Sequence, residues 1–265
     1  MSVTRRQFIG LTAGLGLSAG LGFSTNTFAA DDTITFAAIN DIHVKDAPSV
    51  DIVNEAVIRI NAIKEVEFAV IIGDLGSDGT RMEMKLAEAA LEKLRVPYFC
   101  VPGNHDYDPT TANGYVHYDA AFERRQWHQA QTGWVFLGLD TCNGTASDVT
   151  IPAARMKWLS EQIKGIREDQ PIALFAHHPF NPSTRAYRVS NAEQVLDLFK
   201  DHDLRMVASG HYHGNQIEER NGILFTTTVC CSTTRSNFDG TKEKGFRVYT
   251  LNGESIEHRF VEVPV

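Results

Sequence analysis

Side chains that commonly bind metal ions occur in five short groups along the chain. The groups are Asp41 with His43, Asp74, Asn104 with His105, His177 with His178, and His211 with His213. Carboxylate, imidazole and amide groups are ligands for zinc, manganese and iron. In the Asp-Ile-His segment at 41–43 and the His-Tyr-His segment at 211–213, the two candidate ligands are two residues apart. On an extended backbone such a pair points to one face, so it can bind one ion from one side.

Each group taken alone has a simpler structural explanation. An isolated Asp-x-His segment is more often part of a loop, and Asp74 after Gly73 could cap a helix. His177 and His178 could be one buried and one exposed histidine. Five such groups in one chain favour a shared site, because all of them occupy the same position relative to the predicted strands.

Every group follows a predicted β-strand. Continuous apolar runs, typical of buried strands, cover residues 34–40, 68–72, 98–101, 134–139, 172–176 and 205–208. Helical spacing of apolar residues predicts helices at 51–64, 81–94, 153–163 and 192–199. Alternating strands and helices predict a mainly parallel sheet covered by helices. Sites in such sheets lie at the carboxyl ends of the strands, which is where the five groups fall.

Two other segments complete the prediction of secondary structure. After residue 214, short strands are predicted at 217–219, 223–228, 246–251 and 256–261, with hairpin turns at Asn-Gly pairs. The stretch around Trp127 and His128 is interpreted as helix-like with a solvated face. Glycines at 73, 103 and 210 precede three of the ligand groups, and we expect them to allow sharp turns.

Residues 1–30 differ in composition from the rest of the chain. They contain Arg5 and Arg6, no acidic residue, and an apolar run at 8–23 that five glycines interrupt. That run is too short and too rich in glycine for a transmembrane helix. The pattern resembles a twin-arginine (Tat) signal peptide, with cleavage after Ala29 or Ala30. It predicts export by the Tat machinery to the periplasm or beyond, with no stable membrane anchor.

The remaining residues, 31–265, have an ordinary globular composition and predict a single domain. The whole chain is 43% hydrophobic and 22% charged, with a net charge of −8. Removing residues 1–30 takes away two arginines and moves the net charge to −10. No nucleic acid partner is expected, because no basic stripe is present to neutralise phosphates. The four cysteines lack zinc-site spacing, and their disulfide pairing stays open.

The five groups together resemble the motifs of the calcineurin-like metallophosphoesterases. The matching segments are Asp41-Ile42-His43, Gly73-Asp74, Gly103-Asn104-His105-Asp106, His177-His178-Pro179 and Gly210-His211-Tyr212-His213. They occur in the family order between about residues 36 and 214. Met156-Lys157-Trp158-Leu159 and Asn221-Gly222 are similar to the cyclic-nucleotide phosphodiesterase branch. The resemblance implies an α/β fold, an α-β-β-α sandwich of two mixed sheets flanked by helices.

The resemblance also implies two metal ions, about 3.5–4 Å apart as in two-metal sites generally. Their identity (iron, manganese or zinc) is left open. One ion would be bound by Asp41, His43 and His213, the other by Asn104, His177 and His211, and Asp74 would bridge them. His177 is chosen over His178 because the family ligand precedes the proline by two positions.

The catalytic groups implied by the resemblance are a metal-bound hydroxide, His105 and Asp106. His105 would stabilise the phosphate or protonate the leaving group, and Asp106 would orient His105. The sequence departs from the family at Ser77, where an acidic residue is frequent. Loops 107–120, 143–152 and 179–190 are expected to form the pocket walls.

The function implied is hydrolysis of a small-molecule phosphate ester, with a small diester of the cyclic nucleotide or glycerophosphodiester type as the first choice. The alternative is a broad-range periplasmic phosphomonoesterase. A nuclease is disfavoured by the net charge. A non-catalytic binding protein is disfavoured because no ligand position is replaced. A metallo-β-lactamase type is excluded, since no His-x-His-x-Asp-His segment occurs.

Overall fold

The computed structural model describes residues 33–181, 183–184, 187–253 and 255–264. The proposed leader at 1–30 therefore lies outside the described residues. The strands are β1 (Ile34–Ile39), β2 (Val66–Ile72), β3 (Tyr98–Val101), β4 (Trp127–Gln131), β5 (Trp134–Leu139), β6 (Ile172–Ala176), β7 (Leu204–Ser209), β8 (Gln216–Arg220), β9 (Ile223–Thr227), β10 (Gly245–Leu251) and β11 (Ile256–Glu262). The helices are α1 (Val50–Ala62), α2 (Arg81–Leu91), α3 (Val116–Phe122), α4 (Ala153–Ile163) and α5 (Ala192–Leu196).

The strands form two mixed sheets. The first has the order β11-β10-β1-β2-β3, and the second has the order β4-β5-β6-β7-β9-β8. In the first sheet β1, β2 and β3 are parallel, and β10 and β11 are added as antiparallel strands. In the second sheet β5, β6, β7 and β9 are parallel, with β4 and β8 antiparallel at the edges.

An aromatic core joins the two sheets. Phe36 of β1 lies 5.0 Å from Phe68 within its own sheet, and 5.8 and 5.5 Å from Phe136 and Phe175 of the other (ring centroids). Full burial of each such side chain stabilises the fold by about 1.5–3 kcal/mol. Helices α1 and α2 cover the outer face of the first sheet, and α4 covers the outer face of the second. The layers are therefore α-β-β-α, and the predicted sandwich of two mixed sheets is confirmed.

Two predictions of secondary structure were wrong. The end of the predicted loop at 107–120 is the beginning of helix α3. The stretch around Trp127 and His128 is not helical but forms the edge strand β4, which pairs with β5. Trp127 is buried and its indole N–H donates to the carbonyl oxygen of Cys100 at 2.9 Å, whereas His128 is exposed. The turn at Thr132-Gly133, with both residues at positive φ, sends the chain straight back into β5. Strand pairing thus outweighs the helix propensity of the Gln-Ala-Gln run.

Two further features of the described residues bear on the sequence predictions. No helix among them is long and apolar enough to span a bilayer. All four cysteines are buried, and none takes part in a disulfide. Cys100, Cys142 and Cys231 pack as small groups in the apolar core, whereas Cys230 Sγ lies 2.9 Å from Lys244 Nζ.

Candidate metal centre

The candidate ligands converge where the two sheets meet. Asp41 and His43 follow β1, Asp74 follows β2 and Asn104 follows β3, all in the first sheet. His177 follows β6, and His211 and His213 follow β7, all in the second sheet. The site is thus built from the carboxyl ends of strands in two sheets. A hydrogen bond of 2.9 Å from the His211 amide to Asp41 Oδ2 connects the two halves.

Four residues form the first ligand cluster: Asp41, His43, Asp74 and His213. One ligand atom from each lies within 4.8 Å of the others. His213 Nε2 is 3.1 Å from Asp41 Oδ1, and His43 Nε2 is 3.3 Å from Asp74 Oδ2. The side chains are almost completely buried. This cluster offers two imidazole nitrogens and two carboxylates to one ion.

A second cluster shares Asp74 and adds His177 and His211 within the same 4.8 Å limit. His177 Nε2 lies 3.3 Å from Asp74 Oδ1 and 3.2 Å from Asn104 Oδ1. Asp74 therefore directs Oδ2 toward the first cluster and Oδ1 toward the second. Asp74 is therefore the residue that would be shared if each cluster held an ion.

Backbone carbonyls orient three of the imidazoles. A ring nitrogen of each donates to a carbonyl oxygen, His177 Nδ1 to Ile72 at 3.0 Å, His211 Nε2 to Ser147 at 2.9 Å and His213 Nδ1 to Ser236 at 3.1 Å. Each bond fixes the ring and leaves the other nitrogen for the centre. Such hydrogen bonds are typical around metal-binding histidines.

Two of the four imidazoles are protonated at neutral pH and two are neutral. The difference comes from the balance between burial and the nearby carboxylates. Burial alone lowers the pKa of a histidine, but Asp41 raises the pKa of His213 to about 11 and Asp74 raises that of His177 to about 9. Burial dominates at His43 and His211, whose pKa values fall to about 3 and about 4. Without metal, two imidazolium groups therefore balance the carboxylates. A bound cation would replace their protons.

Two buried carboxylate oxygens support a cation at this site. Asp41 Oδ1 and Asp74 Oδ2 are buried, and from the residues that the structure describes they receive no hydrogen bond of good geometry, only the ion-pair approach of candidate ligand imidazoles. A buried charged oxygen without a hydrogen-bond donor is costly. Both atoms face imidazole nitrogens across 3.1–3.3 Å. A metal ion coordinated by these atoms would compensate them, so the donor set fits the ions that the sequence predicted.

The backbone at the centre is strained. Five of the candidate ligands adopt the left-handed conformation that favours glycine: Asp41 (φ 53°), His43 (41°), Asp74 (53°), His211 (63°) and His213 (49°). Each such residue costs about 1–3 kcal/mol and persists only where its surroundings hold it in place. Only nine non-glycine residues in the described ranges have a positive φ. Strain is therefore concentrated where the ligands turn away from their strands.

The three glycines next to the ligands act differently from the prediction. Only Gly73, at φ 75°, has the backbone conformation that requires glycine. At Gly103 a Cβ atom would overlap Asp74, and at Gly210 it would overlap Asp41. The last two are therefore needed because a carboxylate ligand packs directly against the backbone, and the expectation of a sharp turn was wrong there.

His105 lies beside the first cluster. Its Nδ1 donates to the Ser77 carbonyl oxygen at 2.8 Å, which leaves Nε2 without a proton in the neutral ring. The ring packs edge-on against His43 with centroids 4.9 Å apart, and the His105 amide donates to Asp74 Oδ1 at 2.8 Å. Ser77, the departure from the family pattern, thus still orients this histidine through its main chain.

The expected orientation of His105 by Asp106 is not what the contacts show. The buried Asp106 carboxylate accepts three backbone hydrogen bonds, from Leu75 at 2.7 Å, Gly76 at 2.9 Å and Gly103 at 2.8 Å. These donors belong to the loops after β2 and β3. Asp106 therefore holds together the loops that carry Asp74 and Asn104, and the predicted contact with the His105 ring was wrong.

Two of the predicted pocket loops reach the centre, and part of the third does not. Carbonyl oxygens of the loop at 143–152 accept hydrogen bonds from Asn104 (Thr145, 3.4 Å), His178 (Ala146, 3.1 Å) and His211 (Ser147, 2.9 Å). The other ring nitrogen of His178, Nδ1, is hydrogen-bonded to Thr141 Oγ1. His178 is absent from both ligand clusters. The loop at 179–190 brings Tyr187 to His211. Tyr118, in the 107–120 segment, belongs to α3 and is completely buried.

Two residues at the site, Arg235 and Phe238, were missed by the sequence analysis, whereas Tyr187 lies in a predicted pocket loop but was not singled out. Arg235 Nε lies 3.4 Å from His43 Nδ1, and its Nη2 lies 3.4 Å from His105 Nδ1. Phe238 stacks on His213 with ring centroids 4.9 Å apart. Residues 228–244 follow β9, which was predicted only as part of a terminal hairpin. Because β9 runs parallel to β7, its carboxyl end delivers this segment to the centre.

The fold resembles solved structures of known proteins. A Plasmodium protein described as GAP50, the anchor in the inner membrane complex, has a TM-score of 0.62 at 19% identity, covering 87% of this chain and 85% of its own. The purple acid phosphatase PPD1 from yellow lupin seeds has a TM-score of 0.65 at 12% identity, covering 87% and 52%. At these identities the likeness establishes the fold alone.

Sequence comparisons find bacterial relatives. A probable cyclic nucleotide phosphodiesterase of Xenorhabdus bovienii is 25% identical over 69% of this chain and 73% of its own. A probable glycerophosphodiester phosphodiesterase of Arcobacter nitrofigilis is 27% identical over 72% and 76%. A 3',5'-cyclic adenosine monophosphate phosphodiesterase of Escherichia coli is 23% identical over 63% and 62%.

The match to a family model covers most of the chain and all of the candidate ligands. It extends over residues 34–215 and describes the calcineurin-like phosphoesterases. The same residues contain both ligand clusters and the strands that position them. Family, fold and site geometry agree with the resemblance found in the sequence motifs. The chain belongs to the calcineurin-like phosphoesterase family, and its sequence relatives are phosphodiesterases.

Proposed function

We propose that this enzyme hydrolyses small phosphodiesters with two metal ions held at the junction of its sheets. The observation that carries the proposal is the position of Asp74, which belongs to both ligand clusters. One ion would be bound by Asp41, His43 and His213 and the other by Asn104, His177 and His211. Iron, manganese and zinc all suit this set of imidazole and oxygen donors.

The two ligand sets would act together on one phosphate group. When bound, the ions supply Lewis-acid stabilisation of the phosphate and a nucleophile at neutral pH. Asp74 keeps the two sets at a fixed separation, because its two oxygens face different histidines. The loop contacts of Asp106 keep Asp74 and Asn104 in register. Preorganisation of this kind is how such sites lower an activation barrier.

His105 is placed to protonate the leaving group. Its Nδ1 hydrogen bond to Ser77 directs Nε2 away from that loop. A protonated Nε2 can donate to the departing oxygen as the ester bond breaks, which is general acid catalysis. Since the ring packs against His43, it stands beside the first cluster, where the phosphate would bind.

Arg235 adds positive charge at the same place. Within the part of the chain that the structure describes, the Arg235 guanidinium forms no ion pair with a carboxylate. A guanidinium is a strong partner for phosphate oxygens. Arg235 would therefore contact a non-bridging oxygen of the substrate.

The names of the relatives and the positive charge of Arg235 favour different classes of phosphate ester. The names of the bacterial relatives, which specify cyclic nucleotides and a glycerophosphodiester, support a diester. The unpaired charge of Arg235 favours the alternative, a broad-range phosphomonoesterase, because a monoester carries one more negative charge than a diester. The diester remains the first choice, since the relatives match most of the chain.

Export is a separate part of the proposal. The twin arginines, the glycine-rich apolar run and the small residues Thr27, Ala29 and Ala30 support a Tat signal that directs the folded enzyme to the periplasm. Replacing both Arg5 and Arg6 with lysine should retain the enzyme in the cytoplasm, as cell fractionation would show. Periplasmic accumulation of that double variant would contradict export by the Tat route.

A rate comparison tests the proposed reaction. Metal-loaded enzyme should hydrolyse bis(p-nitrophenyl) phosphate with a higher kcat/KM than p-nitrophenyl phosphate, and removal of metal by a chelator should abolish both activities. A preference for the monoester would replace the first choice with the alternative. Absence of both activities, with metal bound, would indicate a binding protein.

A further inference from the structure

We propose that the stacked side chains of Tyr187 and Phe238 bind a planar ring of the substrate, and so select esters that carry a nucleobase. The inference rests on the proposed phosphodiesterase function and specifies its substrate class. We call these two residues the aromatic pair. Neither belongs to the ligand clusters, and neither has a role in the proposed chemistry.

The aromatic pair is unusual because it is exposed. Phe238 is 51% exposed and Tyr187 is 38% exposed. Among the described residues, six large apolar side chains are exposed, and these two are the only aromatic ones. Other large rings, such as Trp134 and Phe36, are completely buried in the core. Exposed apolar surface that clusters at one place marks a binding surface more often than isolated residues do.

The pair also lies directly against the metal centre. Phe238 stacks on His213 at 11° with ring centroids 4.9 Å apart, and Tyr187 meets His211 edge-on at 5.5 Å. The two rings stack on each other at 26° with centroids 5.6 Å apart. A phosphate held between the two ligand sets would therefore have its ester group next to these rings.

The surrounding backbone holds the pair in place. The Phe238 amide donates to the His213 carbonyl oxygen at 3.1 Å, which ties the ring to a ligand loop. Asp239 accepts from the Asn215 amide at 2.9 Å and secures the same loop. Tyr187 has a φ of 59°, a strained conformation that persists only where the surrounding structure determines it. A preformed surface loses little conformational entropy when a ring stacks on it.

Stacking chemistry identifies the occupant. A nucleobase presents a flat π-face, and base–aromatic stacking is tolerant of base identity. A glycerol group has no such face, and it carries no cation that could bind an aromatic ring as choline does. Phosphate binding near Arg235 and ring binding at the aromatic pair would together recognise a nucleotide ester, and would disfavour an aliphatic phosphodiester.

The test compares ligands with and without a base. Isothermal titration calorimetry of the metal-loaded enzyme should show that adenosine 5'-monophosphate binds about tenfold more tightly than ribose 5-phosphate. In Phe238→Leu, which keeps an apolar cover over His213 but removes the flat ring, that difference should largely disappear. Tyr187→Leu provides the second variant. Ile58→Ala, which removes an exposed apolar side chain from the distant helix α1, should retain the full difference.

Steady-state rates add an independent readout. Phe238→Leu should raise KM for 3',5'-cyclic adenosine monophosphate about tenfold and leave KM unchanged for glycerophosphoglycerol, a diester with neither a base nor a cation. Equal affinity of the wild-type enzyme for the two monophosphates would overturn the proposal, as would equal effects of Phe238→Leu on both diesters. If neither diester is hydrolysed, the proposed function fails, and the calorimetric comparison still tests the aromatic pair.

Discussion

Asp74 is the residue on which the two-ion arrangement depends. Its carboxylate oxygens lie 3.3 Å from His43 Nε2 on one side and 3.3 Å from His177 Nε2 on the other. The sequence places Asp74 after a strand and a glycine, but only the fold shows that it stands between two sets of ligands. Its left-handed backbone, and an Oδ2 that receives no hydrogen bond of good geometry from the described residues, are the local cost of that position.

His105 provides the first prediction at this scale. Changing His105→Ala should lower kcat by about 10²–10⁴-fold while two metal ions per chain remain bound, because the lost group moves a proton and binds no metal. The loss should be larger for an alkyl leaving group than for p-nitrophenolate, which departs without protonation. Turnover and elemental analysis of the same preparation measure both quantities.

The control for His105 is His128→Ala, an exposed histidine on the edge strand β4. This variant should have wild-type rates. Equal losses for both leaving groups in His105→Ala would contradict an acid role and would indicate stabilisation of phosphate charge. Loss of metal would instead show that His105 supports its neighbour His43.

At the scale of elements, the strand ends explain why the ligand set could be predicted. Buried strands give continuous apolar runs in the sequence, and each ligand group begins where such a run stops. Arg235 and Phe238 could not be found in this way, because nothing local shows that β9 runs parallel to β7. Strand β4 was missed for a related reason, since only its partner β5 makes Trp127 part of a sheet. Pairing between distant segments is the part that the sequence pattern leaves undetermined.

A substitution at Gly103 tests how closely the loops after β2 and β3 must pack. Changing Gly103→Ala should displace Asp74, since the added methyl group would overlap its side chain and its amide nitrogen. A misplacement of this kind can cost about 100-fold in rate, so kcat/KM should fall by at least that factor, and metal content should fall with it.

Gly165→Ala is the matched control, because the nearest atom to its added methyl group would be 3.7 Å away. Its rate and metal content should equal those of the wild type. A fully active Gly103→Ala enzyme would show that the loops after β2 and β3 can separate without a loss of kcat/KM. That result would also remove the structural role assigned to Asp106.

At the scale of the whole molecule, the site depends on the packing of two sheets. The aromatic core around Phe36 holds them face to face, and the His211 amide bond to Asp41 joins their ligand-bearing edges. The net charge of −8 says little about this region, because both cluster carboxylates face imidazolium groups. The family resemblance implied the two-sheet architecture, whereas the residue pattern alone predicted a single sheet.

Proton release on metal binding follows from this balance of charge. In the metal-free enzyme the carboxylates raise the pKa of His213 to about 11 and of His177 to about 9, so both rings are protonated at pH 7. Metal ligation requires neutral rings, so full loading should release at least two protons, and metal affinity should increase with pH. Above about pH 9 His177 is already neutral, so its contribution to the release should vanish.

Calorimetry in buffers of different ionisation enthalpy measures the released protons directly. His43 and His211 add none, because burial lowers their pKa values to about 3 and about 4. Metal binding that is independent of pH between 6 and 9, with no protons released, would contradict the predicted state of the site.

The most direct test of the two-ion phosphodiesterase is a titration of metal-free enzyme with manganese. Bound ions per chain and hydrolysis of 3',5'-cyclic adenosine monophosphate are measured in the same samples. We predict that binding saturates at two ions per chain and that activity develops mainly as the second ion binds. Saturation at one ion, or two bound ions without diester hydrolysis, would contradict the account.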